Sequence, residues 1–174
     1  MSGIFGFTCT SCGERHEGSS SFAFRAPDAY LEQSAEIQAR GSLGRNLCYY
    51  KDEDGEHYFI RVVLDIPIHG VAEPFIWGVW VSLSKQSYQD YQAHHDKPDI
   101  NTTYFGWLCN YLPWYSNTYT LATSVHPLDG DHRPCITLHD ADHELIHDFK
   151  LGISIAKAQQ IAELCLHQAA KQEV

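Results

Sequence analysis

Residues 58–83 read YFIRVVLDIPIHGVAEPFIWGVWVSL. In the first half, Tyr58, Ile60, Val62, Leu64 and Ile66 fall on one side of an extended chain. Phe59, Arg61, Val63 and Asp65 fall on the other. In the second half, Phe75, Trp77, Val79, Val81 and Leu83 alternate with Ile76, Gly78, Trp80 and Ser82. Period-two alternation of β-branched and aromatic residues marks paired strands. Pro67, Gly70 and Pro74 confine the break between them to a loop. One face of this hairpin is apolar throughout and predicts a core floor. The other carries Arg61, Asp65, Trp80 and Ser82, and suits solvent, a helix or a partner.

The flanking chain extends this reading. KDEDGE, residues 51–56, is an acidic turn with Asp54-Gly55 at its tip, and it ties a strand from Leu47 to Tyr50 to the central hairpin. It lacks the ligand order of a calcium loop. Further upstream, residues 17–27 read as a loop. Pro27-Asp28 then starts a helix through Ala39, with Tyr30, Leu31, Ala35 and Ile37 as its stripe and Gly41 as its stop. Downstream, Ser84 caps a helix to about His94. YFGWLCNYLPWY, residues 104–115, is dense in aromatics and reads as core or interface lid before ligand pocket. Residues 119–126 and 134–139 read as strands. Asp140 or Asp142 opens a short helix that Gly152 closes. Ser154 caps the last helix, whose buried stripe is Ile155, Ala158, Ile161, Ala162 and Cys165. These elements predict an α+β fold: a mainly antiparallel sheet of about five strands, helices packed on one face, and a small N-terminal metal knuckle. Residues 1–174 are expected to form a single domain, with 7–18 as a knuckle-like appendage.

Composition narrows the function classes. Twelve basic residues stand against 22 acidic ones, a net charge of −10. That balance disfavours nucleic acid, whose binding needs clustered Lys and Arg. It disfavours an anionic membrane surface too, and it suits a protein partner that is basic. No apolar run approaches the roughly 20 residues that span a bilayer. The opening MSGIFGFTCT has no basic region followed by a long apolar run, so no signal peptide is expected. A cytoplasmic location follows, in which the six cysteines serve as core residues or metal ligands and not as disulfides.

Residues 7–16 read FTCTSCGERH. Two cysteines two residues apart, followed by glycine, make a turn that points both sulfurs at one site. Structural zinc takes four ligands. His16 is the nearest third. Cys48, which begins a strand able to lie beside the knuckle, is the expected fourth. The competing readings are two free thiols or a redox pair, the latter without the βαβ surroundings it usually has.

Residues 143–147 read HELIH, a match to H-E-x-x-H. On a helix that spacing sets two imidazoles on one face for zinc, with the glutamate as general base. A zinc hydrolase would therefore use His143, His147 and Glu144, with Glu163 on the next helix as third ligand. The match is incomplete. Lys150 and Ile153 stand where a metzincin has Gly and His. The motif also falls at the start of its helix. A solvated amphipathic helix explains the same residues.

Several segments together resemble a known family. They are FTCTSCGERHEG, IRVVLDIPIHG, PFIWGVWVSLS, YFGWLCNYLPWY and DHELIHDFKLGIS. The resemblance runs from about Phe7 to His167 and is to the bacterial domain of unknown function 2199. It implies no assigned activity, so no catalytic residue carries over. It does imply a shared metal site at Cys9, Cys12 and His16, with a cysteine also recurring at Cys48. Relatives tend to have His-Pro-Leu where this chain has His143-Glu144-Leu145, which removes the general base. The expectation is a non-enzymatic binding or regulatory module with structural zinc, the hydrolase being the alternative.

Overall fold

The computed structural model describes residues 6–10, 12–17 and 21–171. Positions 11 and 18–20, part of the expected knuckle and loop, lie outside the described residues. Two short strands, β1 (Gly6–Thr8) and β2 (Arg15–Glu17), form an antiparallel hairpin with Phe7 opposite His16. Next come β3 (Ser21–Ala23), α1 (Asp28–Leu31), α2 (Ala35–Arg40), β4 (Ser42–Leu43) and β5 (Leu47–Lys51). The long strands β6 (Glu56–Ile66) and β7 (Phe75–Leu83) follow, then α3 (Lys85–Ala93), β8 (Tyr104–Leu108), β9 (Ala122–His126) and β10 (Cys135–Leu138). Two helices, α4 (Glu144–Leu151) and α5 (Ile155–Lys171), end the chain.

The central hairpin forms as expected, and it pairs from Tyr58 opposite Leu83 to Ile66 opposite Phe75, which sets both apolar series on one face. Its surroundings differ from the expected simple sheet. Strands β6, β7, β8, β9 and β10 close on themselves, because β10 returns to pair with β6 in parallel at Cys135 and Val63. The Val63 N–H donates to the Pro134 carbonyl at 2.9 Å to make the seam. Length is the reason this works. β6 and β7 are 11 and 9 residues long, so each outer edge holds two partners in succession. β5 covers β6 up to Ile60 before β10 takes over. β3 runs parallel to β7 from Ile76 to Gly78, and β8 follows at Val81 and Ser82. Gly78 is required there, since a Cβ would come within 2.9 Å of the Ala23 Cβ.

Both faces of the hairpin carry core residues. Ile60, Val62, Leu64, Trp77 and Val79 lie in one core with Phe7, Cys9, Leu145, Ala158, Ile161, Ala162 and Cys165. Phe59 and Trp80 lie in a second, with Ala26, Tyr30, Cys48, Tyr50 and Cys109. Trp80, one of the residues on the less apolar face, is fully covered, and its indole N–H donates to the Phe24 carbonyl at 3.0 Å. Asn110, also fully buried, accepts from the Trp80 N–H at 2.8 Å and donates to the Ala26 carbonyl at 3.0 Å. It thereby clamps the 24–26 segment over β7.

Ser84 and Ser154 accept from Ser87 N–H and Lys157 N–H, as caps should. The helix expected over 28–39 is two pieces instead, because Ser34 accepts from the Ile37 N–H and starts a new one. α4 begins after His143 and not at Asp140 or Asp142. Ile155, expected in the buried stripe of α5, is exposed at the end of that helix.

Candidate metal centre

The β1–β2 hairpin shapes its own turn. The Cys9 N–H donates to the Glu14 carbonyl at 2.8 Å, and the Gly13 N–H donates back to the Cys9 carbonyl at 2.9 Å. Gly13 sits at φ +73°, a conformation that side chains with a Cβ rarely adopt. The turn brings the sulfurs of Cys9 and Cys12 and a ring nitrogen of His16 within 4.8 Å of one another. Cys12 Sγ is 3.4 Å from His16 Nε2. Bonds of about 2.3 Å to sulfur and 2.0–2.1 Å to nitrogen put tetrahedral ligand atoms about 3.6 Å apart. The donor types and spacing therefore fit zinc. Cys9 is buried, whereas Cys12 is exposed and His16 half-buried.

The electrostatics are those of a site short of positive charge. A hydrogen bond from the Glu14 backbone pulls the Cys12 thiol pKa down. The adjacent Cys9 thiol, together with slight desolvation, outweighs it and leaves the pKa raised. A divalent cation reverses that balance, because it deprotonates the thiols it binds.

Cys48 does not join this group. It lies opposite Phe59 across β5–β6, on the face shared with Trp80, and it is fully buried. Cys9 packs into the core on the other face, so the sheet separates the two thiols. Burial, then the neighbouring Cys109, pushes the Cys48 pKa up to about 12. It is a core thiol.

The H-E-x-x-H residues are not arranged as a zinc helix. His143 is the N-cap of α4, outside the helix, at φ −150°. Its Nδ1 accepts from the Leu145 N–H at 3.1 Å, while its Nε2 lies 3.0 Å from the Asn117 carbonyl. Both ring nitrogens are thus engaged. His147 is exposed, 3.9 Å from Asp142, and Glu144 is exposed as well. Glu163, the expected third ligand, is engaged with the knuckle. It accepts from the Thr10 N–H at 3.0 Å and the Thr10 hydroxyl at 2.9 Å, which hold its carboxyl below the usual range. Among the described residues, these side chains make no metal-ligating group. The buried polar group of α4 is instead Asp148, which accepts from the Tyr115 hydroxyl at 2.8 Å and pairs with Lys157.

One residue near the knuckle escaped sequence reading. His167 on α5 places its Nε2 3.1 Å from Cys9 Sγ. The available signal was its spacing of four from Glu163, which puts both on one helical face. Nothing in that spacing points to the N-terminus.

Fold and site together define an α+β protein built on a closed five-strand barrel, with a C-x-x-C-G-x-x-H hairpin anchored to its core through Phe7 and Cys9. The chain belongs to the bacterial family described as "Uncharacterized protein conserved in bacteria (DUF2199)", which matches residues 8–153. That span includes Cys9, Cys12 and His16 and stops short of α5. No curated protein and no solved structure matches the chain. Among the described residues, no helix is long and apolar enough to cross a membrane.

Proposed function

We propose that this chain is a non-enzymatic binding module of the bacterial cytoplasm, with structural zinc in its N-terminal hairpin and a basic protein as partner. The observation that carries the binding role is an exposed aromatic run. Phe105, Trp107, Tyr111 and Trp114 are 49%, 45%, 49% and 42% exposed within ten residues. Single exposed apolar residues are ordinary, but clusters mark interaction surfaces, and aromatics are enriched at interface centres. Phe105 and Trp107 point outward from β8 while Tyr104, Gly106 and Leu108 point inward, so a folded strand presents them. Beside Trp107 lies a cleft of about 400 Å³ that Tyr50, Phe59 and Tyr119 also line. The net charge of −10 suits a basic partner through electrostatic complementarity. The hydrolase alternative lacks support in the geometry of His143.

Affinity capture from the source cells, with wild type beside a Phe105→Ser/Trp107→Ser variant, tests this reading. The expected result is one basic protein retained by wild type, released by salt, and lost with the variant while its melting temperature stays unchanged. Equal capture by both proteins overturns the proposed surface.

A further inference from the structure

We propose that His167 is the fourth ligand of the zinc site, so that one ion pins the N-terminal hairpin to the C-terminal helix. The inference rests on the structural-zinc reading above and puts His167 in the place expected for Cys48.

The first support is direct approach. His167 Nε2 and Cys9 Sγ are 3.1 Å apart, a little under the spacing of about 3.6 Å expected around tetrahedral zinc. His16 stands 3.4 Å from Cys12 in the same relation. Each sulfur thus has its own imidazole. His167 Nε2 touches Cys9 but lies outside the group of Cys9, Cys12 and His16 atoms that stand within 4.8 Å of one another. Its ring must therefore draw in as the ion binds, to complete the two-thiolate, two-imidazole donor set of closed structural zinc.

The second support is that α5 is held in register with the knuckle independently of any metal. One turn before His167, Glu163 binds both the backbone N–H and the hydroxyl of Thr10. Thr10 follows Cys9 directly. On its inner side, α5 buries Ala158, Ile161, Ala162 and Cys165 in the core that holds Phe7 and Cys9. The helix is therefore placed by packing and by two hydrogen bonds, and His167 inherits that position.

Third, the rivals are accounted for. Cys48 lies across the sheet. Glu163 already spends both oxygens on Thr10. The family match ends at residue 153, so three ligands lie within it and the fourth in the helix that follows.

Cobalt(II) tests the assignment, because its visible bands report both ligand number and thiolate count. Untagged protein is stripped with chelator and titrated with cobalt and then zinc, as wild type, His167→Ala, His167→Cys and Cys48→Ala. Wild type is expected to give intense tetrahedral bands with charge transfer from two thiolates. His167→Ala should bind at least about tenfold more weakly, since even an outer-shell partner is worth that much, and its bands should weaken. His167→Cys should regain affinity with stronger sulfur-to-cobalt charge transfer. Cys48→Ala should match wild type. Rescue by cysteine guards against a trivial folding defect, as does comparison of the metal-free melting curves. If His167→Ala keeps the wild-type affinity and spectrum, or Cys48→Ala loses them, the assignment is overturned while structural zinc stands. If wild type takes up neither metal, the zinc reading falls and this assignment falls with it.

Discussion

Cys9 and His167 are separated by 158 positions, yet their side chains meet at 3.1 Å. The first strand and the last helix thus share one core and one polar contact point. Phe7 and Cys9 enter the same cluster as Ala158, Ile161 and Ala162, and Thr10 is bound to Glu163 alongside. An ion at this junction would tie both ends of the chain to the barrel.

Zinc content follows from the hairpin geometry. Protein purified without chelator or His tag should carry about one zinc per chain by elemental analysis. Cys9→Ser with Cys12→Ser should carry none and should melt at a lower temperature, because metal binding to the native state adds stability by mass action. Metal-free wild type would remove the claim.

Thiol reactivity separates the cysteines. The thiolate is the reactive form, and burial pushes Cys48 to about 12 and Cys109 to about 11. In metal-free native protein at neutral pH, iodoacetamide should label exposed Cys12 first and leave Cys48 and Cys109 untouched until unfolding. Zinc should protect Cys12. Mass spectrometry of the digests reads each site, and early labelling of Cys48 would contradict its core position.

Trp77 and Trp80 fill opposite cores of one strand, at 1% and 0% exposure. Replacing either with alanine should cost roughly 3–5 kcal/mol, read from chemical denaturation. An unchanged midpoint for one of them would mean that its face is not packed as described.

The helix α4 histidines should differ from each other and from a zinc pair. His143→Ala removes the acceptor for the Leu145 N–H and should destabilise by about 0.5–2 kcal/mol, as cap losses do. His147→Ala should change stability by less than about 0.5 kcal/mol, as exposed positions do. The double variant should keep its zinc stoichiometry. A second zinc lost with these residues would reinstate the hydrolase reading.

Acid should loosen the β5–β6 turn. The His57 side chain, and after it the Asp54 and Gly55 backbone N–H groups, hold the Asp52 carboxyl below its ordinary value of 3.8. The folded pKa is depressed, so this stabilisation is present above the unfolded value. It is lost as pH falls through the folded one. The protection factors of the Asp54 and Gly55 amides, measured against their intrinsic exchange rates, should fall below pH 4, and Asp52→Ala should lack that protection already at neutral pH.

The features legible in the amino-acid order are local ones. The alternation in 58–83 set the two strands and the apolar face of β6 and β7. Ser84 and Ser154 marked their helices, and Cys9, Cys12 and His16 lie close because a tight turn with Gly13 needs only its own residues. The tertiary structure decided everything that depends on a distant neighbour. An alternating strand announces two faces but not what covers them, so Trp80 and Cys48 became legible only once Tyr30, Cys109 and Asn110 closed over them. A strand edge carries no label for its partner either, so the parallel pairings of β3 with β7 and of β10 with β6, and with them the barrel, were not readable. His167 belongs to the same class: its approach to Cys9 is set by the docking of α5, which no spacing within the helix encodes.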